Sequence, residues 1–301
     1  MKTAISESNT SPTITALVVE GSAMRSVFSA GLLDGFLQAN FKPFDFYLGV
    51  SAGAYNLTAY LNGTPATSLR IFEQFATSRQ FINLWRFLRG GHLIDLDWLE
   101  RFAFDSQHIN TQAVCRTEKP LYVGVTDVME GVPVYIHVTP QNIYPVIKAS
   151  AALPWFYRGF PQIDGRPMTD GGVSDSIPVA EAIRLGATRI MVIRARNKHY
   201  MKKDTPVHKY MRWKMRKFPQ LHATLSRRIQ LHQDSIALIR NPPEGVSIIE
   251  ICPPSSFSIG RFNRNQQQLL EGYHLGQDAA PDAINQWMDS ENEINREQQT
   301  S

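Results

Sequence analysis

"FDFYLGVSAGAYNLTAYLNG" occupies residues 44–63, and its reading decides the architecture. The first seven residues are largely apolar and aromatic, as in a short buried strand. From Gly53 onward the apolar residues recur at helical spacing until Asn62-Gly63, a stop signal. Between the two lies Gly49-Val50-Ser51-Ala52-Gly53, a serine with a glycine two positions away on either side. Gly-x-Ser-x-Gly arises by chance in roughly one chain of this length in ten, so the setting matters more than the pattern. A strand running into Gly49 and a helix starting after Ser51 are what a nucleophile elbow requires. Small residues at 49 and 53 permit the sharp turn, and the serine takes a strained, exposed conformation. The helix N-terminus then faces developing negative charge. The same residues also suit a plain strand-to-helix turn capped by Ser51, so the rest of the chain must decide.

Working outward, "ITALVVE" (14–20) is a β-branched strand, and the segment after it carries Val27, Phe28, Leu32, Leu33, Phe36 and Leu37 at helical period. Residues 65–118 read as mostly helical, with aromatics such as Phe72, Phe81, Trp85 and Phe87. "PLYVGVTDV" (120–128) and "VPVYIHV" (132–138) flank Met129-Glu130-Gly131 as a hairpin. "NIYPVIKASAALPWFY" (142–157) is helical to Leu153 and halts at Pro154. "RPMTDGGVSDSIPVAEAIRLGA" (166–187) is a strand end, a glycine turn and a helix opening at Pro178. "TRIMVIRA" (188–195) and "VSIIEICP" (246–253) are further strands, separated by a basic helical segment. Strands alternating with helices predict an α/β protein, a three-layer α/β/α sandwich around a mostly parallel sheet. One domain is expected over 13–288, with its variable last third at about 196–288 and polar tails at 1–12 and 289–301.

The 301 residues are 43% hydrophobic and 10% aromatic, enough for a sizeable core. The polar start "MKTAISESNTSPT" has no secretory apolar run, and no stretch approaches the 18 or so apolar residues that span a bilayer. Cys115 and Cys252 lie far apart without metal-ligand spacing and read as reduced thiols, so a cytoplasmic setting is expected.

A serine hydrolase of the common triad type would supply an acid and then a histidine in the order Ser, Asp, His. The eight histidines sit in mixed settings, and His274 in "EGYHLGQD" is the least unsuited, so the triad fits poorly. "MTDGGVSDSIP" (168–178) offers something else. Asp170 ends a strand and two glycines free the backbone to present its carboxylate. Alone this is an ordinary Asp-Gly turn; beside an elbow, Asp170 becomes a candidate general base acting directly on the serine hydroxyl. Oxyanion donors would come from the turn in "VVEGSAMRSVF" (18–28). A dinucleotide-binding reading of that turn fails, because Ala23 and Ser26 stand where glycines are needed.

Gly21-Ser22-Ala23-Met24-Arg25-Ser26, Gly-Val-Ser-Ala-Gly at 49–53 and Asp-Gly-Gly at 170–172, in that order, resemble the patatin-like phospholipase family. "KASAALPWFY" (148–157) is similar to the segment preceding the aspartate there, and the likeness runs from about 14 to 195. The resemblance implies a lipid acyl hydrolase with a Ser–Asp dyad: Ser51 as nucleophile and Asp170 as general base. It implies backbone N–H groups of Gly21, Ser22 and Ala23 as oxyanion hole, with Arg25 adjacent, and Gly49, Gly53, Gly171 and Gly172 as supports. A lipid ester is the implied substrate, with no cofactor and no metal. The family loop is usually Gly-Gly-Gly-x-Arg-Gly, so a left-handed backbone at Ser22 or Ala23 would be strained. That departure leaves a second expectation, a weak or inactive patatin-like protein that binds lipid or regulates a partner.

Arg194 to Arg228 carries twelve Lys/Arg and one acid, Asp204, with Tyr200, Tyr210, Met211, Trp213, Met215 and Phe218 interleaved. This reads as a basic amphipathic helix, either a solvated face whose apolar side packs on the sheet or a segment in peripheral contact with the inner membrane face through 196–228. No nucleic-acid module accompanies the charge, so nucleic acid is not an expected partner.

Overall fold

β1 (Thr15–Val19) has four residues buried on both faces, which only a central strand of a covered sheet allows. The computed structural model describes residues 13–78, 80–105, 108–116 and 118–300. The expected tail at 1–12 lies outside them. The other strands are β2 (Phe46–Val50), β3 (Leu121–Asp127), β4 (Pro133–His137), β5 (Gln162–Ile163), β6 (Arg166–Asp170), β7 (Arg189–Ile193) and β8 (Ser247–Ile251). They form one sheet in the order β5-β6-β3-β2-β1-β7-β8, with β4 also on β3. The run β3-β2-β1-β7-β8 is parallel, whereas β4 and β6 meet β3 antiparallel. The hairpin read from the sequence is thus β3–β4.

The helices are α1 (Val27–Gln38), α2 (Ala52–Asn62), α3 (Thr67–Thr77), α4 (Leu84–Leu88), α5 (Leu96–Glu100), α6 (Thr111–Cys115), α7 (Ile143–Ala151), α8 (Val179–Arg184), α9 (Pro206–Lys214), α10 (Pro219–Arg240), α11 (Gln266–Asp278) and α12 (Ala280–Thr300). Strand residues of alternate parity feed two separate cores. Leu17, Val19, Met191 and Ile193 join α1, α2, α7 and α11 on one face. Ala16, Val18, Ile190 and Val192 join α8 and the end of α10 on the other. Helices on both faces of a mostly parallel sheet are the expected α/β/α sandwich.

Backbone proximity seats α11 on α1. A Cβ on Gly31 would stand 1.8 Å from the Tyr273 carbonyl oxygen, and one on Gly276 would stand 2.1 Å from that of Phe28. The stretch 65–118 is mostly helical as expected, broken into four helices, α3 to α6, plus a π turn at Arg101–Asp105, because its apolar residues come in short runs. Two expectations are corrected. The basic segment is not one amphipathic helix. Pro206 and Pro219 each open a helix, and residues before Pro206 form an irregular strand-to-helix connection. Residues 289–300 continue α12 in place of a loose tail. Trp287 is buried under the Arg189 guanidinium, 3.8 Å from its ring centre, and Arg189 pairs with Glu291 at 3.1 Å.

The register around β3 positions the site. β4 lies along residues 122–126 of β3, β2 along 121–124 and β6 along 125–127. A strand has two edges, and each of the shorter two overlaps β4, so β2 and β6 share the edge opposite β4. They run toward each other and meet tip to tip.

Candidate active site

Ser51 follows the last residue of β2 with φ +52° and ψ −126°, backbone that side-chain-bearing residues rarely adopt. The small neighbours predicted from sequence are required by contact. A Cβ on Gly53 would come within 2.5 Å of the Val19 carbonyl oxygen, and one on Gly49 within 2.8 Å of Ala54 Cα. The Ser51 amide donates to Ser150 Oγ at 2.7 Å, and that hydroxyl donates onward to the Gly124 carbonyl at 2.7 Å. Ser150, from α7, therefore fastens the elbow to β3. Sequence reading passed it over, since its partners lie 99 and 26 residues away.

Asp170 ends β6 with Ser51 Oγ donating to its Oδ2 at 2.9 Å. Its other oxygen accepts the Gly172 amide at 2.7 Å, and its main chain is held by Ala152 at 3.1 Å and Thr126 at 2.8 Å. The Gly172 carbonyl takes Arg228 Nε at 3.0 Å, so α10 braces the same turn. Both site residues are nearly closed to solvent, Ser51 at 8% and Asp170 at 3% exposure. Burial raises the Asp170 carboxyl above the usual range; Arg228 and the hydrogen bonds from Ser51 and Gly172 oppose this. Among the described residues, no histidine hydrogen-bonds to either residue, and His274 meets Gln277 on the surface. A hydroxyl given to a buried, proton-hungry carboxylate can be deprotonated as it attacks.

The loop of residues 21–25 departs from expectation. The Gly21 amide donates to the Ser176 carbonyl at 3.3 Å and the Ser22 amide to Ser26 Oγ at 3.2 Å, so both are turned to other acceptors. Among the described residues, the Ala23 amide meets no acceptor, and neither does that of Ala52, first in α2. Both residues line the cavity at Ser51. Ala23 has φ +50°, the left-handed strain anticipated where the family has glycine. Arg25 is half-buried next to the loop, its Nη1 donating to Ser22 Oγ at 3.3 Å. Glu20 anchors the loop to β7. Burial alone would raise its carboxyl, but Arg194 at 2.9 Å, His232 and the Ala195 amide hold it well below the usual range.

From Ser51 a cavity of about 60 Å³ opens between Phe72, Phe81, Leu96, Leu99 and Leu153. The aromatic-rich stretch 72–104 thus supplies much of its wall. "PWFY" (154–157) does not: Trp155 packs edge-on against Phe87 at 4.8 Å and Tyr210 at 4.7 Å, joining α4 to α9. Among the described residues, no group of three His, Cys, Asp or Glu side chains is arranged to hold a metal ion. No described helix is long and apolar enough to cross a membrane.

Residues 17–183 match the family model of patatin-like phospholipases, and residues 218–292 match that of a domain of unknown function, DUF6363. The chain is 36% identical over 271 residues to the uncharacterized protein YjjU of Escherichia coli (strain K12), covering 87% of this chain and 74% of that one. Among solved structures it is similar to VipD from Legionella pneumophila, with a TM-score of 0.43 and 15% identity over 92% of this chain and 67% of that one. With one family matched across more than half its length, the chain belongs to the patatin-like phospholipases, a family of lipid hydrolases.

Proposed function

We propose that the protein is a serine acyl hydrolase of lipid esters, with Ser51 as nucleophile and Asp170 as its general base. The observation that carries this reading is the 2.9 Å hydrogen bond from a strained serine to a buried carboxylate, without a histidine between them. Ser51 Oγ attacks the ester carbonyl carbon while its proton passes to Asp170 Oδ2. The carbonyl oxygen becomes an oxyanion, for which the free amides of Ala23 and Ala52 are the proposed donors. Collapse expels the alcohol, which takes the proton from Asp170 and leaves an acyl-serine. Water, deprotonated by the same carboxylate, then releases the fatty acid and restores the serine. The apolar cavity at Phe81 and Leu99 suits the acyl chain.

Docking on an anionic lipid surface belongs to the same reading. α4 exposes Trp85 at 72% and Leu88 at 68%, and α9 exposes Trp213 and Tyr210. Trp155 joins these two helices into one face, and Lys214 and Arg216 lie over the Trp213 ring. Aromatic side chains among cations suit a headgroup layer.

Hydrolysis of p-nitrophenyl esters of graded chain length tests the chemistry. Ser51→Ala and Asp170→Asn should each lose activity by about a thousandfold or more, as removal of a nucleophile or its base does elsewhere. Fluorophosphonate labelling of Ser51 without turnover would mean a different ester; no labelling and no turnover would favour the lipid-binding alternative.

A further inference from the structure

Behind the dyad lies a group of cations that the proposed chemistry does not use. Arg25 follows β1, Arg196 follows β7, Lys202 lies in the connection beyond it, Arg228 is on α10, and Arg261 lies between β8 and α11. Among the described residues, none of the five forms an ion pair, although eight other Lys and Arg side chains do. Arg228 is buried and the others half-buried. Three of them leave a buried donor without an acceptor: Arg25 Nε, Arg196 Nε and Arg228 Nη1.

They also press on one another. Burial, then Arg196 and Arg261, push Arg25 down to about 10. Burial and Arg261 push Arg228 down to about 10. Burial first, then Arg228, with Arg261 adding to it, hold Lys202 well below the usual lysine range. The nearby carboxylates are already committed, Glu20 to Arg194 and the Ala195 amide, Asp170 to Ser51 and Gly172, and Asp204, in the wall shared with Lys202 and Arg228, to Arg212 at 2.7 Å. Uncompensated cations with buried, unpartnered donors are costly unless an anion completes the site.

The place fits an anion too. β1 and β7 are adjacent, yet α1 leaves β1 on one face of the sheet while α8 approaches β7 on the other. The crevice at their C-terminal ends is the topological switch point, where open α/β sheets bind ligands. Arg261 lines the cavity at Ser51, and Lys202 and Arg228 line a neighbouring cavity of about 170 Å³. Four of the five cations lie beyond residue 183, outside the patatin-like match, and Arg228 and Arg261 lie within the second matched segment.

We propose that Arg25, Arg196, Lys202, Arg228 and Arg261 form a binding site for a phosphate group carried by the ester substrate, beside the carbonyl that Ser51 attacks. This rests on the hydrolase reading for the identity of the ligand, though not for its binding. Five basic side chains, none of them paired with a carboxylate, favour a dianionic phosphomonoester over a zwitterionic headgroup. The C-terminal third would then select the polar end of the substrate while the first two thirds perform the chemistry.

Titration calorimetry on the Ser51→Ala chain tests this without turnover, using octyl phosphate, octanol and inorganic phosphate as probes. Octyl phosphate should bind at least about tenfold more tightly than octanol, as charge-assisted contacts imply. In Lys202→Gln and Arg261→Gln chains that melt with the parent, the preference should shrink to about twofold. Sulfate should displace octyl phosphate and leave octanol in place, which reads the same question should a variant fold poorly. Equal binding of octyl phosphate and octanol, a preference kept in both variants, or indifference to sulfate would overturn the proposal. Inorganic phosphate binding as tightly as octyl phosphate would also overturn it, as a free-anion site. Silence toward both p-nitrophenyl esters and the fluorophosphonate would count against the hydrolase reading and leave these binding results standing.

Discussion

Asp170 stands one register step beyond Val50 on the same edge of β3, Val50 opposite Gly124 and Asp170 opposite Val125. The serine after Val50 and the carboxylate are thus spaced by strand pairing, although 119 residues separate them. Gly171 closes this junction, since a Cβ there would lie 2.1 Å from the Gly124 carbonyl oxygen. Gly171→Ala should pry the tip of β6 from β3, costing about 3 kcal/mol or more. Its unfolding midpoint and esterase rate should both fall, and a wild-type midpoint would refute the junction.

The raised carboxyl of Asp170 has two opposite pH signatures. As a base it must be ionised, so kcat/KM should decline as pH falls through a value above the ordinary aspartate range. For stability, the native state holds this proton more tightly than the unfolded chain does. Its contribution is fully present below the unfolded value of about 3.9 and is lost as pH rises through the folded one. Asp170→Asn should abolish the acid limb and flatten stability across that window, as rate profiles and denaturant melts at several pH values would report.

Ser150→Ala would leave the buried Ser51 amide without its acceptor. A loss of about 1–3 kcal/mol is expected. Because Ser150 positions the elbow without touching the substrate, kcat and the fluorophosphonate labelling rate should fall while KM changes little. A matching change in KM would point to a role in binding instead.

Ala23 holds a left-handed backbone that glycine adopts freely. Ala23→Gly removes strain of about 1–2 kcal/mol and adds back some unfolded-state entropy, for a net gain of about 0.5–1 kcal/mol. Thermal melts should shift upward, with esterase activity retained because the amide remains. A downward shift would place the strain elsewhere.

Glu20→Gln would strip Arg194 of its 2.9 Å partner inside the protein and leave Glu250 as its counterion. Breaking a buried pair on one side costs about 3–5 kcal/mol, reduced here by the remaining acid. Since Glu20 directly precedes the loop with the Ala23 amide, turnover should fall along with stability.

Elements fixed by local pattern were legible in the sequence. β2, the turn at Ser51 and α2 follow from one stretch of apolar spacing and two glycines, and Asp170 from a strand end before a glycine pair. What depends on distant partners was not. Nothing near Gly21 says that its amide meets Ser176, or near Ser150 that its hydroxyl holds Ser51. The polar run after Trp287 reads as a tail because its ion pair lies with Arg189, about a hundred positions back. Charge density alone did not show that Arg228 turns inward to the Gly172 carbonyl while Lys214 stays on the surface.

The seat of α11 on α1 bears on how the chain is made. Tyr273, whose carbonyl Gly31 abuts, leaves the ribosome 242 residues after it. At about 5–20 residues per second, that wait is at least about ten seconds. Throughout it α1 lacks its cover, and for the first part of it β1 also awaits β7 (Arg189–Ile193), so the nascent chain presents apolar surface that chaperones would shield. Folding of this layer is therefore expected to wait for α11 and not to proceed strand by strand during synthesis.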